Sequence, residues 1–379
     1  MDRKLIIFIF FITISNYGIS QEKIFSYKVQ LSDLLLVKPQ NPLYSGNVLR
    51  TIPQLNIEKS FKEKNKLDAE LSINGFLNTE FADKKFSNDP ELSMYRAWVR
   101  YSGKKFEFRI GLQKLNFGSA QILRPLMWFD SVDPRDPQKL TNGVYGGLFR
   151  YYFDNNANFW FWTLIGNNNL KGLEFTPNDK DSPEFGGRMQ FPIKKGEISL
   201  TYDYRKTDIT SFSVFNHTGS EPEHKFGLDG KVDIGIGLWI ENSFSSLKVN
   251  KDTSFQTLMS TLGADYTFNV GNGLGATLEL FYINSKFNFS KQNLVNGFFP
   301  ALVITYPVTI LDNLSSVTMF DIACKNIYQF VGWQRTYDHL SFNLMLSLNP
   351  DSGSDNMLLF RGNQFLSGNY VQFLLSYNL

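Results

Sequence analysis

LSMYRAWVRYSGKKFEFRIGLQKLNF, residues 92–117, decides the fold. From Tyr95 to Tyr101 side chains of opposite character alternate, and they do so again from Phe106 to Leu112. A polar break carrying Gly103 and Lys104 separates the two runs. A period of two is the mark of a strand, and two such runs around a Gly-containing break mark a hairpin. With Gly103 and Lys104 as the turn, Tyr101 is expected to face Phe106, Val99 to face Phe108, Ala97 to face Ile110 and Tyr95 to face Leu112. The other face then pairs Arg100 with Glu107 and Trp98 with Arg109. Both faces are coherent, one apolar and one charged, which a wrong register by one residue would destroy.

The pattern recurs along the chain. Met189, Phe191 and Ile193 match Tyr202, Leu200 and Ile198 across the break at 194–197. Tyr266, Phe268 and Val270 match Leu278, Ala276 and Leu274 across Gly271, Asn272 and Gly273. Between Gly196 and Lys206, apolar Ile198, Leu200, Tyr202 and Tyr204 alternate with Ser199, Thr201, Asp203 and Arg205. Candidate strands fall at 67–81, 92–102, 105–117, 145–154, 158–166, 185–193, 196–206, 224–233, 235–247, 255–270, 274–287, 299–309, 314–326, 336–348 and 369–379, with segments near 26–32 and 52–61 able to add one more. Short turns alternate with long polar stretches at 167–184, 206–223 and 247–254. A transmembrane barrel has that asymmetry, and single-chain bacterial barrels have an even strand number. The expectation is an all-β, single antiparallel barrel of about fourteen strands, within a range of twelve to sixteen.

Composition agrees. Phe occurs 36 times and Tyr 17 times among 379 residues, while charged residues make up 20%. Aromatic residues suit strands and the girdles at the two membrane interfaces. Beyond Gln21 no apolar run approaches the eighteen or so residues of a membrane-spanning helix. A formal net charge of +2 leaves no nucleic-acid footprint. The first residues combine Arg3 and Lys4, an apolar run from Leu5 to Ile14, and small Gly18 and Ser20. This reads as an export signal over 1–20, cleaved near Ser20, since ten or so apolar residues reach only about 15 Å as helix. Residues 21–65 follow as an N-terminal segment able to supply a first strand, and 66–379 as the barrel. Cys324 stands alone, so no internal disulfide can form.

One stretch breaks the rhythm. Residues 118–142, GSAQILRPLMWFDSVDPRDPQKLTN, hold Pro125, Pro134 and Pro137 and cannot form a central strand. Trp128 and Phe129 sit among Arg124, Asp130, Asp133, Arg135 and Asp136. So apolar a loop is expected to fold into the lumen, which would bury its aromatics and pair its charges.

The run from Phe108 to Pro137 resembles a signature of porin-like outer-membrane proteins of Gram-negative bacteria. There a strand with a Gly-x-Gln element and an aromatic-Gly end leads into an Asp-Pro-x-Asp loop. The matching residues are Gly111, Gln113, Phe117, Gly118, Asp133, Pro134 and Asp136. The final strand, with Val371, Phe373, Leu375, Tyr377 and Leu379 on one face, is similar to the C-terminal signal read by the barrel-assembly machinery, although Leu379 replaces the usual terminal Phe or Trp. The resemblance implies an outer-membrane channel in contact with outer-membrane lipid, passing small hydrophilic solutes.

From the alternation, the lumen-facing charges are Arg96, Arg100, Glu107, Arg109, Arg150, Arg188, Asp203 and Arg205. With Arg124, Trp128, Asp130, Asp133, Arg135 and Asp136 they are the candidates for pore lining and constriction. Free arginines would favour anions, because a low-dielectric wall focuses their field. Pairing with lumenal carboxylates would instead stiffen the wall, as Arg100 beside Glu107 suggests. No catalytic residue is assigned: there is no G-x-S-x-G elbow, and the histidines are His217, His224 and His339. No cofactor is expected, and no H-E-x-x-H or C-x-x-C metal pattern occurs. The Asp130, Asp133, Asp136 spacing is better read as salt bridging to Arg124 and Arg135. A closed structural or adhesive barrel that binds a partner through its outer loops is the competing reading, followed by a secreted soluble all-β protein.

Overall fold

The computed structural model describes residues 24–39, 43–61, 65–82, 85–132, 136–138, 140–210, 219–288, 293–350 and 368–379. The expected export signal, and Asp133, Pro134, Arg135 and His217, lie outside the described residues.

In chain order the strands are β1 Phe25–Lys38, β2 Tyr44–Ser60, β3 Lys66–Ala82, β4 Lys85–Ser102, β5 Phe106–Gln113, β6 Val144–Tyr152, β7 Asn158–Leu164, β8 Glu184–Ile193 and β9 Gly196–Asp208. They continue with β10 Ser220–Asp233, β11 Gly237–Lys248, β12 Ser254–Phe268, β13 Leu274–Phe287, β14 Val295–Pro307, β15 Asp312–Asp321, β16 Asn326–Thr336, β17 Leu340–Leu348 and β18 Tyr370–Asn378. Each pairs antiparallel with its chain neighbours, and β1 pairs with β18, so the sheet closes on itself. The ring is locked where the chain ends: Leu379 N–H donates to Val29 O at 2.9 Å.

The strand count of fourteen, and its range, are therefore corrected to eighteen. The segments near 26–32 and 52–61, credited with one more strand, prove to be two, and β16 had no candidate of its own. Residues 21–65 supply both β1 and β2. In β16, Tyr328 and Phe330 point inward while Ile327 and Val331 point outward, so both faces are apolar and the alternation vanishes.

The barrel is inside-out relative to a water-soluble protein. In β9 the apolar Ile198, Leu200 and Tyr202 are 43%, 56% and 36% exposed, whereas Ser199, Thr201, Asp203 and Arg205 are at most 4% exposed. Apolar exposure in a continuous belt with polar burial inside is what a hydrocarbon solvent selects. The belt recurs on the other strands through Leu31, Leu71, Ile110, Phe226, Leu262, Leu302 and Phe373.

The expected hairpin partners are each displaced by two residues. Tyr101 faces Phe108 rather than Phe106, Met189 faces Leu200, and Tyr266 faces Ala276. A shift of two preserves the face of every side chain. The turn after β4 is longer than two residues, with Gly103 N–H donating to Phe106 O at 2.8 Å, and that moves the register.

The longest connections all leave from one end of the barrel. The start of β1, the end of β18 and the tight turns, such as 194–195 and 234–236, lie at one end of the barrel, here the short-turn end. The connections 114–143 and 165–183 leave from the other, long-loop end. Both fold back inside. Leu115, Phe117, Leu126, Trp128 and Phe129 of the first pack on Val144, Leu148, Trp162 and Leu164 of the wall. Leu123 of the first and Leu173 of the second join a second cluster on β12–β18 and β1, around Phe281, Met319 and Phe330. The stretch read as the polar outer loop 167–184 is thus largely a lumenal element.

Candidate functional site

The connection 114–143 leaves β5 and crosses the lumen. Its backbone is taken up by two wall carboxylates. Glu279 on β13 accepts the N–H groups of Gln121 (2.6 Å), Ile122 (3.0 Å) and Leu123 (2.8 Å). Glu241 on β11 accepts those of Ala120 (2.9 Å) and Leu126 (2.6 Å). Both glutamates are fully buried. Loss of the acceptor leaves the buried donors of Ala120, Leu123 and Leu126 unsatisfied, at about 1–3 kcal/mol each. Thr261 Oγ1 donates to Leu123 O at 2.6 Å, and Trp128 Nε1 donates to Ser243 Oγ at 3.0 Å.

Two glycines permit this approach. Gly118 has φ of 100°, and a Cβ there would strike the Glu241 carboxylate. Gly227 on β10 faces inward, where a Cβ would lie 2.6 Å from Leu126. Phe117 then sits edge-on to Trp128 and Phe129 and stacks on Trp162, with centroids 5.8–5.9 Å away. The other end of the loop returns along β1, β2 and β4. Gln138 Nε2 donates to Ser32 Oγ at 2.7 Å and is bonded by Arg50, and Arg96 Nη2 donates to Thr141 O at 2.9 Å. A bulge at Ser72/Ile73 leaves Tyr95 as the extra residue on β4; Arg96 lies over its ring at 4.1 Å. Beside the loop tip remains a cavity of about 150 Å³ lined by Arg50, Gln138, Gln334, Ser341 and Asn343.

The expected arginines divide into two groups. Arg188 is buried and forks onto Asp229 at 2.6 and 2.9 Å. Arg205 is buried between Glu223 (2.5 Å) and Glu174 (2.7 Å). These two stiffen the wall. Arg100, Arg109 and Arg150 keep 26%, 13% and 18% of their side chains exposed. They surround Glu107 at 3.6, 3.6 and 3.2 Å, and Arg100 also forks onto Asp68 at 3.0 and 2.7 Å. Three arginines thus face two carboxylates. Arg109 lies over Trp98 at 4.8 Å and Arg150 over Trp160 at 3.7 Å, a stacking that holds guanidinium planes open to the lumen.

Other expected contacts change partners. Arg124 does not pair with Asp130; it donates to Asn116 and to Phe117 O (3.3 Å). Asp130 is buried and caps the Ser131 and Asn142 N–H groups, each at 2.8 Å, and Asp136 accepts from Gln138 N at 2.9 Å. Trp128 is a buried wedge between loop and wall. Asp203 is buried and accepts from Trp162 Nε1 at 2.9 Å. Gln113 of the Gly-x-Gln element donates to Gly146 O at 3.0 Å, tying the loop's start to β6.

Sequence reasoning missed Glu241 and Glu279. Each is a carboxylate on the inward face, within WIEN and TLELF, without an inward-facing basic residue directly opposite it; Glu241 stands opposite Asp229, and Glu279 opposite Gly263 and Ala301. That orphan status was the available signal. It also missed the ion network of the second loop, where Lys171 meets Glu184 at 3.0 Å and Lys225 meets Glu174 at 2.7 Å. Burial alone would raise the Glu174 carboxyl, but Arg205, Lys225 and Lys171 overcome it and hold it at about 2.

No family model matches the sequence, and no curated protein matches it either. Solved structures do. Acinetobacter baumannii OccAB1 superposes with a TM-score of 0.56 at 10% identity, covering 94% of this chain and 96% of that one. Pseudomonas aeruginosa OccK7 gives 0.53 at 11% identity, covering 94% and 98%. Pseudomonas aeruginosa OccD3 gives 0.52 at 12% identity, covering 94% and 91%. The fold is that of an outer-membrane porin barrel. At such identity the likeness concerns the porin fold alone, and the two clasping glutamates are features of this chain's own geometry.

Two outcomes are expected. Replacing both Glu241 and Glu279 by Ala orphans five N–H groups, three of them buried, so the porin barrel should persist while chymotrypsin cuts after Phe129 at least about ten-fold faster, even one buried group being worth about 1–3 kcal/mol; unchanged cleavage would refute the clasp. The Glu174 carboxyl is lowered from 4.5 to about 2, so its contribution to stability is complete above about pH 4.5 and is lost as pH falls towards 2. Thermal melts in detergent should fall across that window, and less so for Glu174→Gln; parallel curves for the two proteins would contradict the assignment.

Proposed function

We propose that the protein is an outer-membrane channel for passive or substrate-biased diffusion of small hydrophilic solutes. The observation that carries this reading is the loop 114–143, drawn across the lumen by Glu241 and Glu279 so that a polar cavity remains beside its tip. A loop held by ten or so hydrogen bonds sets a fixed bore, and selection then follows from size, charge and aromatic lining without chemical turnover. The short-turn end lies in the periplasm and the long-loop end outside, with β18 as the segment read by the assembly machinery.

The half-open row of Arg100, Arg109 and Arg150 gives the path a positive bias, since Glu107 and Asp68 offset only part of its charge. The bias is towards anions. Arg96, Arg124, Arg188 and Arg205 serve as braces, and Trp128 is the wedge that keeps the loop in place.

The test is the reconstituted protein in a planar bilayer under a KCl gradient. The expected result is discrete conductance steps with a reversal potential on the anion side, moving towards zero in an Arg100→Gln/Arg109→Gln/Arg150→Gln protein. A cation-side potential would remove the anion bias. Electrical silence would favour a closed barrel that binds a partner through its outer loops.

A further inference from the structure

The outward face of β9–β13 carries a feature that a channel does not require. Across these five strands, at the long-loop end, Tyr204, His224, Ser246, Gln256 and Lys286 stand directly opposite one another in a row. Lys206 and Lys248 lie one step further towards the loops, and by strand alternation they also point outward. Lys206, Lys248 and Lys286 are all exposed, and among the described residues none forms an ion pair. The corresponding outward positions on β14–β18, including Phe298, Phe320, Ile327, Leu348 and Val371, carry no charge.

Directly below this row the surface turns apolar and concave. Tyr202, Phe226, Phe244 and Leu258 form the next row, and a groove of about 590 Å³ runs beneath it between Met189, Leu200 and Leu228. Gly187, outward on β8 opposite Tyr202, supplies no side chain to fill it. Tyr202 Oη and His224 Nδ1 lie 2.9 Å apart and join the groove's lip to the polar row. A lysine-bearing rim over an apolar channel, both facing lipid, matches an anionic head group above acyl chains.

We propose that this face binds a diphosphorylated, multiply acylated glycolipid of the lipid A type. Its phosphates sit at Lys206, Lys248 and Lys286, and one acyl chain lies in the groove. Width decides between lipids. The three lysines span β9 to β13, four strand spacings or about 19 Å, more than a single phosphate can serve, whereas a disaccharide phosphorylated at both ends reaches across. This assignment rests on the reading that the long-loop end faces outward, where such a glycolipid forms the leaflet.

The experiment uses full-length protein refolded without lipid in detergent, titrated with hexa-acylated lipid A or with phosphatidylglycerol and followed by native mass spectrometry. Lys206→Gln/Lys248→Gln/Lys286→Gln should bind lipid A about a hundred-fold more weakly, each head-group lysine contributing about five-fold. Leu228→Trp, which fills the groove and leaves the rim intact, should also weaken it. Both should retain the heat-modifiable gel mobility of a folded barrel. Equal binding by the triple variant, or phosphatidylglycerol bound as tightly as lipid A, would overturn the proposal. Conductance recorded on the same preparations separates the two readings: a silent barrel that still loses lipid A with the lysines retains the site and gives up the channel.

Discussion

Five backbone N–H groups of one loop end on two carboxylates of the opposite wall, and the rest of the lumen is arranged around that clasp. Where a chain crosses the interior beside strands already paired on both sides, the ladder offers it no free acceptor, so its donors need side-chain acceptors. Glu279 takes three and Glu241 two. With the loop so placed, Trp128 wedges against Ser243, the aromatic cluster around Phe117 closes one side, and Gln138 is carried to the far wall beside Arg50. The arginines then fall into two roles by position alone. Those behind the loops are buried and paired, and those towards the short-turn end keep a face open.

The outer surface answers to a different constraint. Hydrocarbon offers no partner to a backbone amide, so the sheet must close, and the pairing of β1 with β18 leaves no free edge. The same solvent explains why Leu200 is exposed and Ser199 buried. Two solvents acting on one strand produce the period of two that the sequence displays.

That period made parity legible and register illegible. From Ala97 to Tyr101 and from Phe106 to Ile110 the side chains point to the faces their alternation implies, yet their partners lie two residues away, because turn length is set by local backbone geometry that Gly103 does not reveal; before the bulge at Tyr95 the parity itself reverses, and Leu92 and Met94 point outward. Where both faces are apolar, as at Tyr328 and Val331, the signal disappears and a strand goes uncounted. The lumenal loop was readable from its prolines and its aromatics, whose burial in water has no other solution. Its attachment was not. Glu241 and Glu279 look like ordinary lumenal charges until the loop lies against them, since the donors they satisfy are more than a hundred residues away and belong to the backbone. The lipid-facing lysines were hidden for a related reason: Lys206, Lys248 and Lys286 become neighbours only once five strands are laid side by side.

The central claim is that the loop 114–143 sets the bore of an open barrel. Single-channel conductance before and after deletion of residues 124–136 tests it most directly. The account predicts a clear rise in conductance with the barrel still folded, because the deletion removes the wedge at Trp128 and shortens the crossing. Unchanged conductance in the folded deletion protein would contradict it.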